Sequence, residues 1–365
     1  MRSAPTLVGY NEDVEYLTLT IALKSECIVP VGGAKPGMLS HMNQHDFSQA
    51  IERYRGELQT HCYRMFGSIQ DAEDMVQETF LRAWKHRESY VTDLSLRAWL
   101  YKIATNVCLD TLKKRRRRVI PQTLAGPLTA ADPIPPAITD PIWIDPYPDE
   151  LIDLGDAHPE QRVLAHESIK IAFLTALQLL PPRQRAVLIL SDVLDWSASE
   201  TAVLLETTIP AVKSALHRAR ARMETVYFSE REDAAPPDRE SADMRALLAQ
   251  YVRAWEEADI DGLIALLRDD ASFSMPPIPS WYQGRANIRQ IVGKTVFSGP
   301  AVGRWKLHPT RANGQIAFGL YRMADDGIYH EYGIQVLTLV DCQIADIITF
   351  RKPQLVARFS FQETL

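Results

Sequence analysis

A chain of 365 residues with 46% hydrophobic and 24% charged residues can bury two or three separate cores, and it is too apolar for wholesale disorder. The longest apolar stretch near its start, Leu17 to Val31, is broken by Lys24 and Glu26 and follows no basic segment, so a secretory leader or a membrane span does not fit and the cytoplasm is expected. Cys27, Cys62, Cys108 and Cys342 lie far apart without a C-x-x-C pair, which argues against a zinc knuckle or a disulfide framework; neither metal nor cofactor is expected.

Residues 1–40 show no sustained period, carry Gly32-Gly33 and Pro36-Gly37, and are followed by Met38 and Met42, so they read as a flexible extension or a wrongly assigned start. From Phe47, apolar residues at Ala50, Ile51, Tyr54, Leu58, Cys62 and Met65 predict one buried helix face. A second helix is expected from Asp71, burying Ala72, Met75, Val76, Phe80 and Trp84, and a third from Leu96 to Arg115. Together they make an all-α module over residues 46–118. Residues 119–159 hold nine prolines and predict an extended linker with Trp143, Ile144 and Tyr147 as anchors. Helical periodicity returns over 160–228, a polar stretch follows at 229–240, and a third unit occupies 241–352 before a tail at 353–365. In that unit two helices precede alternating segments, with hairpin signals at Asn313-Gly314 and Asp326-Gly327, so it reads as α+β with an antiparallel meander.

The formal charge of −6 would speak against a nucleic-acid binder, but the charge is segregated. Eight basic residues lie between Arg97 and Arg118 against the single acid Asp110, whereas Val119 to Glu160 has eight acids and neither Lys nor Arg. Ser197 and Glu200 form a capping box that starts a helix. After a turn at Glu206-Thr207, Thr208 caps a second helix with Pro210 in its first turn, which is helix-turn-helix spacing. On that helix Val212, Ala215, Leu216, Ala219 and Met223 face inward, and Lys213, Ser214, His217 and Arg218 point outward, flanked by Arg220 and Arg222. Such a face suits the major groove, although a merely solvated basic helix would carry the same residues. Lys102, Asn106, Asp110 and Lys113 form a second polar face that can hydrogen-bond exposed bases, with the run from Lys113 through Arg115 to Arg118 against phosphate. An ordinary polar face ending in a basic tail is the alternative.

Three segments carry a family resemblance. Residues 71–84 (DAEDMVQETFLRAW) resemble region 2.2 of sigma factors, and residues 97–110 (RAWLYKIATNVCLD) resemble regions 2.3 and 2.4. Residues 180–188 (LPPRQRAVL), 195–202 and 214–221 resemble region 4 of the extracytoplasmic-function group. Glu206 departs from the pattern, since the turn there often has Gly, and the linker is longer than usual. The resemblance implies that Asp71, Asp74, Gln77 and Glu78 dock on the coiled coil of the largest RNA polymerase subunit, with the flap as a second contact. It further implies that Lys102, Asn106, Asp110, Lys113 and Arg115 hold melted minus-ten DNA, and that Thr208, Lys213, Ser214, His217, Arg218, Arg220 and Arg222 read the minus-thirty-five element as duplex. The acidic linker would lie in a nucleic-acid channel of the polymerase.

Residues 251–256 (YVRAWE), 266–271 (LLRDDA) and 273–277 (FSMPP), with Trp281 and Gly284-Arg285, resemble SnoaL-like domains of the nuclear-transport-factor-two superfamily, in the version fused to actinobacterial sigma factors. Enzymes of that superfamily shelter an acid or base in a cone-shaped pocket, for which Asp270, His330 and Glu331 are candidates. No spaced acid/base pair stands out, so a regulatory domain acting in cis is expected rather than an enzyme. The expected partners are core RNA polymerase and promoter DNA, with an anti-sigma protein or a small ligand as an open alternative and no membrane. A stand-alone helix-turn-helix regulator and a ligand-sensing or catalytic C-terminal domain are the competing readings; a stand-alone regulator would have no need of the region 2.2 helix.

Overall fold

The computed structural model describes residues 43–90, 94–140, 142–153, 166–228, 242–299 and 302–361. The expected N-terminal extension and the 229–240 linker lie outside these residues. The first module contains α1 (Gln44–Glu52), α2 (Arg55–Phe66), α3 (Ile69–Lys85) and α4 (Leu96–Leu112). The run expected as one helix from Phe47 to Met65 breaks at Arg53 and Tyr54, where the Tyr54 amide donates to the Ile51 carbonyl at 3.0 Å. Both residues keep right-handed dihedrals, so the apolar face continues across the break. α3 starts two residues ahead of the expected position because Ser68 caps it by accepting from the Asp71 amide. Leu58, Val76, Leu100 and Ala104 are fully buried between these helices.

Beyond the single turns at Pro121–Thr123 and Asp149–Leu151, the proline-rich linker forms no helix or sheet strand among the described residues. It is docked rather than free. Val119 bridges to Trp143, Leu128 to Tyr282 and Pro148 to Ala312, and the Tyr147 ring stacks on Tyr63 with centroids 4.3 Å apart. Two of its acids are taken up within the chain, Asp145 by Lys352 and Asp149 by Arg311, each at 3.0 Å.

The second module contains α5 (Ile171–Gln178), α6 (Pro182–Leu188), α7 (Ala198–Leu204) and α8 (Ile209–Met223). The third unit starts with α9 (Ala242–Glu256) and α10 (Ile260–Ala265). Then follow β1 (Leu267–Ser274), β2 (Trp281–Gln283), α11 (Arg285–Thr295), β3 (Trp305–Ala312), β4 (Gln315–Met323), β5 (Tyr329–Val340) and β6 (Gln343–Phe350). The sheet order is β2-β1-β6-β5-β4-β3. The expected meander runs from β3 to β6, while β1 pairs with β6 in parallel, a crossover that the local alternation does not encode. Asn313 and Gly314 both have positive φ, as a two-residue hairpin turn requires. Asp341 and Cys342 turn the β5–β6 hairpin in the same left-handed region without a glycine.

One sheet face is filled by Tyr251, Trp255, Phe273 and Phe318 under the helices. On the opposite face Ala317, Ile334, Val336 and Ile348 belong to one apolar core that also holds Leu58, Leu174 and Leu190 of the helical modules. The tail belongs to this core through Leu355, Val356 and Phe359.

Candidate nucleic-acid interface

Local hydrogen bonds build the helix-turn-helix as the sequence predicts. Ser197 and Glu200 complete the capping box of α7, and Thr208 caps α8 by accepting from the Ala211 amide at 3.3 Å. Between them Glu206 has φ +50°, in the left-handed region where a side chain is strained. Val212, Ala219 and Met223 are buried, leaving Thr208, Lys213, Ser214, His217, Arg218 and Arg222 exposed. Arg218 donates to Ser214 at 2.6 Å, which organises one edge of this face. Arg220 is instead turned back onto Asp192 in a two-point ion pair at 2.7 and 3.0 Å that raises its pKa. It is committed within the module in this conformation.

On α4, Lys102 and Asn106 are half-buried and Asp110 is exposed. The Lys102 ammonium lies 2.9 Å from the Glu206 carboxylate, tying α4 to the turn of the other module. Lys113 bonds Asp110 at 2.9 Å and holds that carboxyl below its ordinary range. Tyr90, Trp99 and Tyr101 are buried in the core, and Trp84 packs edge-on against Phe47.

Two expected contacts need correction. Asp71 is only 5% exposed and bonds Arg115 and Arg118, so its carboxylate is not offered to a docking partner and Arg115 is not free for phosphate. The run after α4 folds back because one buried carboxylate attracts two guanidinium groups. Asp74 and Gln77 remain exposed on α3, and Glu78 is half-exposed and bonded to Arg82 at 2.6 Å. Leu81 is 65% exposed on the same helix, an apolar position that amphipathic counting passes over because it falls off the buried face. Arg358 of the tail bonds Glu73, beside Asp74.

In the third unit Asp270 bonds Arg268 at 3.0 Å, His330 bonds Asp326 at 3.1 Å, and Glu331 is exposed; the three do not converge on an interior. The polar groups under the helices are Tyr251, Gln335 and Thr349, with Tyr251 donating to Gln335 and Gln335 donating to Thr349 at 2.8 Å. Among the described residues no group of three His, Cys, Asp or Glu side chains could hold a metal ion. Nor, among the described residues, is any helix long and apolar enough to cross a membrane.

Residues 50–118 match the Sigma-70 region 2 family, residues 170–223 match Sigma-70, region 4, and residues 248–352 match the SnoaL-like domain. Over 324 residues, 88% of this chain and 85% of the relative, the chain is 41% identical to the ECF RNA polymerase sigma factor SigG of Mycobacterium tuberculosis. The chain belongs to the ECF sigma factors. This sigma factor is also 27% identical over 181 residues to the ECF RNA polymerase sigma factor SigW of Bacillus subtilis, covering 49% of the chain and 87% of the relative. Its fold resembles the crystal structure of the Mycobacterium tuberculosis ECF sigma factor SigJ, with a TM-score of 0.54, 22% identity, and coverage of 84% of this chain and 96% of that one. The expected fold, two helical sigma modules followed by a SnoaL-like α+β domain, is the one observed.

Proposed function

We propose that this sigma factor binds core RNA polymerase through the exposed face of α3, using Asp74, Gln77, Glu78 and the neighbouring Leu81. The exposed acids and amide would steer and register the contact, and Leu81 would supply buried apolar area once docked. The α4 face around Lys102 and Asn106 then holds melted minus-ten DNA, and Lys213, Ser214, His217 and Arg218 on α8 read the minus-thirty-five duplex. The cytoplasm is the compartment this reading requires.

The observation that carries the regulatory half of the reading is the Lys102–Glu206 ion pair. A carboxylate of one DNA-reading module is paired with a cation of the other, so parting the modules would release Lys102 toward DNA. The SnoaL-like domain and the tail behind it support the closed arrangement through the shared apolar core and the Arg358–Glu73 bond, which makes them a regulator in cis. Arg220 with Asp192 and Arg115 with Asp71 are further cations withheld from phosphate.

Competitive binding to bacterial core RNA polymerase tests the docking face. Combined Asp74→Ala, Gln77→Ala and Glu78→Ala substitutions should weaken binding at least tenfold, about 1.4 kcal/mol. Undiminished binding by that variant would move the interface elsewhere.

A further inference from the structure

Where the end of α4 meets the start of α6 lies a cleft of about 350 Å³, lined by Leu112, Arg115, Arg117, Leu180, Pro181 and Arg185. Arg185 is 2% exposed, and every group it bonds is neutral: the carbonyls of Met65, Gln178 and Leu180 and the Gln178 side chain. Its Nε–H is buried without a partner. Burial pulls its pKa down to about 10, which leaves it charged at neutral pH. Arg115, which also lines the cleft, is paired with Asp71, a carboxylate it shares with Arg118. Arg117 at the rim is exposed and has no acidic partner among the described residues, so Arg117 and Arg185 both lack a counter-ion. A buried cation held only by neutral groups is costly unless an anion approaches it.

We propose that this cleft binds a small phosphate-bearing anion that spans the two helical modules. Guanidinium groups match phosphate oxygens in geometry and charge, and a volume of this order suits a compact ligand. Leu112, Leu180 and Pro181 give the cleft an apolar wall for a short ring or alkyl body on the phosphate. Leu112, Arg115 and Arg117 come from the first module, and Leu180, Pro181 and Arg185 from the second. The complete site therefore exists only when the modules are together, and a ligand bound there favours that arrangement by its differential affinity. This deepens the cis-regulatory reading, but the binding itself is measured without polymerase or DNA, so failure of one is distinguishable from failure of the other.

The test is calorimetric titration of the full chain with inorganic pyrophosphate in buffer matched for ionic strength with sodium chloride. One equivalent should bind, and Arg117→Ala should weaken the affinity at least tenfold. Arg185→Gln should weaken it similarly; since that buried position bears on folding, Pro181→Glu, at an exposed point of the second module's wall, gives the same readout by repulsion. Phenyl phosphate binding more tightly than inorganic phosphate would mark an ester as the occupant, and the reverse order would mark the free ion; either order upholds the site. Binding no stronger than that of matched chloride, or binding lowered by none of these substitutions, would overturn the proposal. Sensitivity to Arg117→Ala alone, with folded Arg185→Gln and Pro181→Glu unaffected, would equally rule out a site shared by the two modules.

Discussion

The side-chain amide of Asn313 donates to the Tyr63 hydroxyl at 2.9 Å, joining a hairpin turn of the SnoaL-like domain to the centre of sigma region 2. The same amide donates to the Ile169 carbonyl at 2.7 Å, and its oxygen accepts from the Tyr147 amide at 2.8 Å. One fully buried side chain thus bonds both sigma modules and the linker.

Asn313→Ala strips those partners and puts a β-carbon residue without local bonding at φ +58°. The expected loss is about 3 kcal/mol, because buried groups are left unpaired. Asn313→Gly keeps the turn and loses only the side-chain bonds, so its loss should be smaller. Denaturant unfolding of both variants checks the order.

Glu206→Gly removes a left-handed side chain that costs about 1 kcal/mol and an exposed ion pair worth about 0–1 kcal/mol. Stability should therefore change by less than about 1 kcal/mol, while binding to core polymerase and promoter DNA tightens as the modules part. Equal transcription by both proteins on one promoter would argue that the pair does not gate anything.

His61 is buried against Thr105, and desolvation pulls its pKa down to about 3. The unfolded chain protonates near the ordinary value of about 6.5, so the unfolded state binds the extra proton between these limits. Stability from this site is complete above about pH 6.5 and falls by about 1.4 kcal/mol per pH unit below it, down to about pH 3. Chemical unfolding of wild type and His61→Gln at pH 7.5 and 5 should show the wild type losing about 2 kcal/mol relative to the variant on going to pH 5.

Asp346 behaves in the opposite sense. It keeps part of its surface open, yet burial of the carboxyl pushes its pKa up to about 7 against the Ser272 hydroxyl, which favours the ionised form. The folded protein holds this proton from about pH 4 to about 7 while the unfolded chain has released it, so stability falls as pH rises through that window. Asp346→Asn should flatten the decline and gain on wild type most at pH 8. Gln122 of the linker approaches this carboxyl at 3.5 Å, so proteolysis around residue 122 at pH 6 and pH 8 provides a second readout.

What the sequence disclosed was mostly local chemistry. The capping box, the Thr208 cap and the Asn313-Gly314 turn are each determined by residues a few positions apart, and all are present. The linker anchors Ile144 and Tyr147 were legible because large apolar residues in a polar segment need a partner. That Asp71, Arg115 and Arg220 pair within the chain was hidden for the complementary reason: acids and bases look alike whether they face solvent or pair across the fold, and only tertiary approach decides. The parallel β1–β6 pairing and the glycine-free Asp341-Cys342 turn were silent for the same reason, since pairing across a crossover overrides local turn preference.

The apolar core shared by sigma region 2, region 4 and the SnoaL-like sheet has an evolutionary corollary. Val336 and Ile348 belong to a core that also draws on residues of the other modules, so a volume change at either bears on packing beyond the C-terminal domain. Chimeras that exchange the C-terminal domain between relatives should therefore misassemble unless the facing helix residues travel with it, and this interface should drift as a co-varying set rather than position by position.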